Sequence, residues 1–211
     1  MSGLHGVPPG RAGRVWLLHR LRTAERGVEL MHGKLRVLEV EQRRYRERSD
    51  RSAAEWERAC RDAEAWFLRA ALLSGRQSID TAAPAEPAEV DVGWTVAMGV
   101  RHPDGATVRP AQPPLTAAPP DNSALILAGA AYRTALPAAA RSAVDTAALL
   151  RLDTEVTTTR RRLRAVEDRW IPRLAGALRR IEQGLEETEL ADSSRLRWAT
   201  TGGRGRPPAR R

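Results

Sequence analysis

From Leu17 onward, one frame of alternating four- and three-residue steps runs through the first third of the chain. It visits Leu17, Leu21, Ala24, Val28, Met31, Leu35, Leu38, Gln42, Tyr45, Ser49, Ser52, Trp56, Ala59, Ala63, Trp66, Ala70 and Leu73. A seam of period 3.5 held that long predicts a helix in a left-handed supercoil with a partner helix. The alternative is a single amphipathic helix on a globular core, but such helices rarely exceed about 25 residues. No proline falls between Pro9 and Pro84, so the helix is predicted over 12–75, roughly 95 Å at about 1.5 Å per residue. Gln42, Ser49 and Ser52 place polar groups mid-seam, where they cost stability and fix register.

A second seam follows near the C-terminus: Leu149, Leu152, Val156, Thr159, Leu163, Val166, Trp170, Leu174, Leu178, Ile181 and Leu185. From Val166 to Leu178 its steps are four, four and four, one residue more than the heptad frame allows, and Pro172 sits inside that stretch. A proline removes a backbone donor and crowds the preceding turn, so a bend is expected where the seam changes phase. The apolar period resumes beyond it, which implies that the helix continues. Two long helices in one chain pair most simply as an antiparallel hairpin. Gly27 and Gly184 flank seam positions and are expected to let the two backbones approach at one level.

Between the seams the pattern changes. "EVDVGWTVAMGVR" (89–101) alternates at Val90, Val92, Trp94, Val96 and Met98, the period of a strand, and "HPDG" (102–105) supplies a turn signal after it. The expected fold class is therefore all-α: a long antiparallel two-helix coiled coil with a small β-hairpin or irregular head. Its expected divisions are a flexible leader (1–11), a first coiled-coil helix (12–75), a head with a Pro-rich connector (76–142), a second coiled-coil helix (143–198) and a disordered basic tail (199–211).

Composition sharpens this picture. Only 4% of the 211 residues are aromatic and 29% are charged, which disfavours one thick globular core. The formal charge is +9, but the helices are mixed in sign, and only the tail is purely basic. Cys60 is the single cysteine, so no intrachain disulfide forms and a reducing compartment is the default. The longest apolar run, "ALILAGAA" (124–131), is too short for a bilayer, which needs about 20 residues. The start of the chain lacks the apolar core of a secretory signal.

Catalytic constellations are not evident. His5, His19, His32 and His102 lack metal-ligand spacing, and an exposed surface position is the expectation for them. There is no phosphate-cradling GxxxxGK[ST] sequence. Cys60 has no histidine near it in sequence and is expected to be an inert thiol. Glu186 and Glu187 are expected to be surface charges. No metal and no cofactor is expected, and the chain is expected not to be an enzyme by itself. Arg204, Gly205, Arg206 and Pro207 in the tail resemble an AT-hook core, which raises a DNA-associated coiled-coil protein as an alternative. A generic coiled-coil scaffold is the third reading.

The helices also resemble a known family. "RVWLLHRLRTAERGVELMHGKLRVL" (14–38), through Leu18, Leu21, Ala24, Arg26, Gly27, Leu30 and Lys34, is similar to the first helix of the D subunit of V-type ATPases. "GWTVAMGVRHP" (93–103) resembles that family's mid-chain segment. Residues 160–197, through Leu163, Ala165, Glu167, Ile171, Pro172, Leu178, Ile181, Leu185, Glu186, Glu187, Glu189 and Leu196, resemble its second helix, in which a proline after an isoleucine belongs to the pattern. The chain departs from the family at "HGKLRVL" and in its basic tail.

The resemblance implies a central rotor shaft, itself without nucleotide. Its partners would be the A and B subunits of the catalytic hexamer, the F subunit, and the adaptor subunit of the membrane ring, all at the cytoplasmic face of the membrane. The coupled ion would be a proton or sodium. Candidate partner contacts are Arg14, Arg20, Arg22, Arg195 and Arg197 near the tip and Met98, Gly99 and Val100 in the head. The candidate coiled-coil seam is Leu17, Leu21, Val28, Met31, Leu35, Leu38, Trp56, Leu163, Val166, Trp170, Leu178, Ile181 and Leu185.

Overall fold

The computed structural model describes residues 6–84, 86–111 and 122–202. It contains two long helical runs with a small antiparallel sheet between them in sequence, as expected. The first, α1 (Gly10–Ala82), is interrupted at Gly75, whose φ of 73° and ψ of 175° are not helical. The regular helix thus breaks where the first seam ends, and glycine enters that conformation without a Cβ penalty. The second run is α2 (Ser123–Ala165), a π-helical turn (Val166–Trp170) and α3 (Ile171–Gly202).

The π turn accounts for Pro172. The Ile171 N–H bonds the Val166 carbonyl, five residues back, so the turn holds the extra residue that the four-four-four spacing demands. Pro172 has no N–H to offer the Asp168 carbonyl, and a widened turn relieves the crowding there. The phase change expected from sequence is thus absorbed within the backbone of a continuing helix.

The second helix starts at Ser123, twenty residues before the expected boundary at 143. Asn122 caps it, its Oδ1 accepting from the Leu125 N–H at 2.9 Å. Its seam continues backward in unbroken three-four steps through Asp145, Ser142, Ala138, Ala135, Ala131, Ala128 and Ala124. These side chains are small or polar, so no hydrophobic stripe announces the helix, and Pro137 within it reads as a breaker. Ala124, Ala128 and Ala135 are nevertheless buried, as are Ala63 and Ala70 of α1. Residues 112–121, the greater part of the connector expected over 109–122, lie outside the described residues, as do 1–5, 85 and the AT-hook-like Arg204–Pro207; residues 199–202 of the expected tail belong to α3.

The sheet is a hairpin of β1 (Glu89–Ala97) and β2 (Val100–Arg109). Its turn is Met98–Gly99, with φ of 48° and 81°, the two-residue loop with positive φ at both positions that matches strand twist. The expectation of one strand over 89–101 followed by a turn at "HPDG" is therefore corrected. His102, Pro103, Asp104 and Gly105 lie inside β2, and Gly105 (φ 140°) belongs to a bulge where the register shifts between Val92 and Trp94. A bulge uses the same residues as a turn, and its extra residue re-aims a side chain.

The chain divides into two compact units, a terminal unit (Met1–Gly33 with Arg160–Arg211) and a hairpin unit (Lys34–Thr159). In the terminal unit Leu17, Leu174, Ala177 and Leu178 form the buried cluster, flanked by Trp16, Leu21, Trp170 and Ile181. In the hairpin unit Leu38, Tyr45, Ala148, Leu152 and Val156 form another, with Leu35, Leu149 and Val100 packed against it.

Candidate functional site: partner-contact surfaces

In the terminal unit the helices pair antiparallel. Arg11 bonds Glu189 at 3.1 Å, Arg14 bonds Glu182 at 2.9 Å and His32 meets Glu167 at 2.8 Å, so rising positions on α1 meet falling positions on the second run. This ladder sets Gly184 opposite the start of α1 and Gly27 opposite the region of the π turn. A Cβ on either would meet nothing within 4 Å, so the expectation that they share a level is overturned. Gly13 is the glycine that packing requires, because a Cβ there would run into the Pro8 carbonyl and lie 3.0 Å from Ile181 Cδ1.

The tip arginines are exposed and differently engaged. Arg14 pairs across the helices, and Arg20 lies 5.0 Å over the Trp16 ring. Arg22 faces solvent, Arg195 pairs with Asp192 of its own helix at 3.3 Å, and Arg197 donates to the Ser193 carbonyl at 3.4 Å. Of the seam residues in this unit, Leu17, Leu163 and Leu178 are buried, and Leu21, Val28, Met31, Val166, Trp170, Ile181 and Leu185 are half-buried.

In the hairpin unit the seam behaves differently. Leu38 is buried and Leu35 half-buried, but Trp56 is 42% exposed. The seam residues facing it are small, and it lies along an open groove with Ser142, Ala143, Thr146, Ala147 and Leu150. The polar seam residues find partners: Gln42 Nε2 donates to Asp153, and the Ser49 and Thr146 hydroxyls meet at 3.2 Å. Lys34 and Glu155, both half-buried, pair at 2.6 Å.

A partly buried polar network joins β2 to both helices here, and the sequence pattern does not flag it. His102 is 1% exposed, which overturns the expectation of a surface histidine. Its ring packs edge-on against Tyr45 at 4.9 Å, and its Nδ1 faces the Pro103 carbonyl at 3.2 Å. Tyr45 Oη donates to Asp104 Oδ1 at 2.6 Å, and Arg48 Nη1 reaches the same oxygen at 2.7 Å. The other amino group of Arg48 lies 2.8 Å from Asp145 Oδ1. That oxygen has no aligned hydrogen-bond donor among the described residues, so the contact is an ion pair of modest directionality.

Charge states follow from these contacts. Hydrogen bonds from Tyr45 and then Arg48 hold the Asp104 carboxyl below the usual carboxylate range. Burial, then the bond to Asp104, pushes the Tyr45 phenol well above its ordinary value. Burial opposes the Arg48 charge, but Asp104 and Asp145 outweigh it and hold the guanidinium cationic. "HPDG" is the signal in the sequence that points to the site, once it is read as a bulge presenting Asp104.

The hairpin leaves one apolar row open. Val90, Val92, Trp94, Val96 and Met98 are all exposed, between 40% and 64%. Arg101 and Arg151 lie 4.6 and 5.3 Å from the Trp94 ring centre, and Arg151 of α2 donates to the Arg101 carbonyl at 3.5 Å. Of the expected head contacts, Met98 and Gly99 form the exposed tip, whereas Val100 packs against the core. Desolvation and Glu64, 3.6 Å away, push the Cys60 thiol up, away from nucleophilic readiness. Among the described residues no group of His, Cys, Asp or Glu is placed to hold a metal ion, and no helix is long and apolar enough to cross a membrane.

This chain, two helical runs with a short hairpin between them in sequence, resembles known proteins. It is 28% identical over 200 residues to the V-type ATP synthase D subunit of one strain of Thermus thermophilus, covering 90% of this chain and 86% of that protein. The same figures hold for the protein of that name from a second strain of the organism. The family model for the ATP synthase D subunit matches residues 16–201, and the chain therefore belongs to that family.

Proposed function

We propose that the chain is the central rotor shaft of a V-type ATP synthase, coupling ATP hydrolysis or synthesis in an A/B hexamer to rotation of a membrane ring and transport of protons or sodium ions. Family membership across residues 16–201 carries this reading. The terminal unit would enter the hexamer, and the hairpin unit would meet the F subunit and the ring adaptor, on the cytoplasmic side of the membrane. The terminal unit holds 19 basic and 9 acidic residues against 16 and 17 in the hairpin unit, so the excess positive charge belongs to the part assigned to the bore. An antiparallel helix pair has no threefold symmetry. Within a ring of three similar catalytic pairs it touches each differently and biases each differently.

Arg14, Arg20, Arg22, Arg195 and Arg197 would supply distributed contacts with acidic or polar bore residues, each worth about 0–1 kcal/mol as exposed pairs. Co-expression with the A, B and F subunits tests the assignment. The chain should co-purify with the hexamer, and omitting it should abolish ATP-driven ion transport. A hexamer that assembles and drives transport unchanged without it overturns the proposal. A single charge reversal among the five arginines that blocks assembly overturns the distributed-contact part alone.

A further inference from the structure

We propose that Arg48 is a positioning residue that latches the β-hairpin onto both helices of its unit, so that the exposed row on β1 is presented at a fixed angle. The inference rests on the proposed rotor function only for what the hairpin is presented to. The latch itself stands on geometry. The two amino groups of Arg48 bridge different elements, Nη1 reaching Asp104 of β2 at 2.7 Å and Nη2 reaching Asp145 of α2 at 2.8 Å.

Each part of the site is built for this. The bulge at Gly105 lets Asp104 meet α1, and Tyr45 donates to the same carboxylate oxygen at 2.6 Å. Asp145 is only 3% exposed as a side chain, and a buried carboxylate without its counter-charge is costly, which ties α2 to the guanidinium. The Arg48 guanidinium also lies 4.6 Å from the Tyr45 ring centre, so its plane is held as well as its charge. Lysine has the charge, but its single nitrogen replaces two separated amino groups and gives no planar stacking, so it does not reproduce the span between the two carboxylates. A second, weaker link ties α2 to the hairpin: Arg151 lies 5.3 Å from the Trp94 ring centre of β1 and donates to the Arg101 carbonyl of β2 at 3.5 Å. A hairpin of two strands is marginal alone, so its rigidity comes from these attachments.

Hydrogen exchange of the full chain, read by mass spectrometry over 89–109, tests the latch without any partner. Arg48→Lys and Asp104→Asn should each speed exchange of the hairpin amides by about tenfold or more, the effect of losing a charge-assisted hydrogen bond, and leave amides of the terminal unit unchanged. Asp104 and Asp145 meet different nitrogens of one guanidinium, so Asp104→Asn and Asp145→Asn should be non-additive in the wild-type background and additive once Arg48→Lys is present. A merely structural role would not move that coupling. Hairpin protection unchanged in Arg48→Lys, or additivity in both backgrounds, overturns the proposal. If Arg48→Lys folds poorly, the near-isosteric Asp104→Asn alone decides, and unchanged protection there overturns it too. The outcome is independent of whether the A/B hexamer binds the chain.

Discussion

The two units solve the same packing problem with different chemistry. In the terminal unit, large aliphatic side chains such as Leu17, Leu174 and Leu178 fill the seam, and the cross-helix ion pairs lie on the exposed flanks. In the hairpin unit, alanine and serine occupy much of the seam, and a partly buried network of Tyr45, Arg48, Asp104 and Asp145 ties a third element in. Apolar filling tolerates surface change. A network in which one guanidinium serves two carboxylates does not, because removing one member strands the others.

The largest effect expected follows from that difference. Arg48→Ala leaves the nearly buried Asp145 and the partly buried Asp104 without their counter-charge, and should cost about 3–5 kcal/mol in urea unfolding of the hairpin unit. Arg14→Ala, which breaks an ion pair exposed on both sides in the terminal unit, should cost less than about 1 kcal/mol. Equal losses would erase the distinction.

A second contrast is steric. Ala63 is fully buried in the small-residue stretch, so Ala63→Leu overpacks it and should destabilise by about 1–3 kcal/mol. Leu178→Met in the aliphatic seam conserves volume and should cost under about 1.5 kcal/mol. Thermal unfolding of the two variants makes the comparison.

This difference also decides what the sequence can reveal. The first helix and the seam from Leu149 to Leu185 are legible because leucine, valine and tryptophan mark the period. The stretch from Ala124 to Ser142 keeps the same period in alanine and serine, invisible to a search for apolar stripes, and its proline argues against a helix. Asn122 is a readable cap, but nothing periodic draws attention to it. The hairpin is expected from the alternation of β1, yet its turn falls four residues before the turn signal in the sequence. Asp and Gly favour a bulge as readily as a turn, and the choice depends on Tyr45 and Arg48, more than fifty residues away. The exposed β1 row and the buried His102 escape the pattern for the same reason: which face of a two-stranded ribbon is covered depends on what packs against it.

Acid and base should separate the units further. The folded-state pKa of Asp104 lies below its unfolded value, so its contribution is present above about pH 3.9 and is lost as pH falls through the folded value. Tyr45 is shifted the other way, so its contribution is present below about pH 10 and lost as pH rises towards the raised value. Asp104→Asn should therefore cost about 1–1.5 kcal/mol at pH 7, discounted for partial exposure, and less near pH 2, well below the unfolded value. Urea titrations at the two pH values measure this, and an equal cost at both would mean that the carboxylate charge does not hold the network.

The smallest effect is expected at Pro172, where the terminal unit meets a phase defect with backbone alone. Pro172→Ala restores an N–H opposite the Asp168 carbonyl and would permit a regular turn. A regular turn, however, removes the extra residue from the helical phase and swings Leu174, Leu178 and Ile181 by about 100° away from α1. Leu174 and Leu178 are buried in the unit's main cluster, and exposing them costs about 1.5–3 kcal/mol each, more than one added hydrogen bond returns at about 1 kcal/mol. The π turn should persist, with stability within about 1 kcal/mol of the parent. Amide exchange at Ile171 and at the substituted position reads the outcome, and a switch to the regular α pattern would show that the proline, not the seam, imposes the turn.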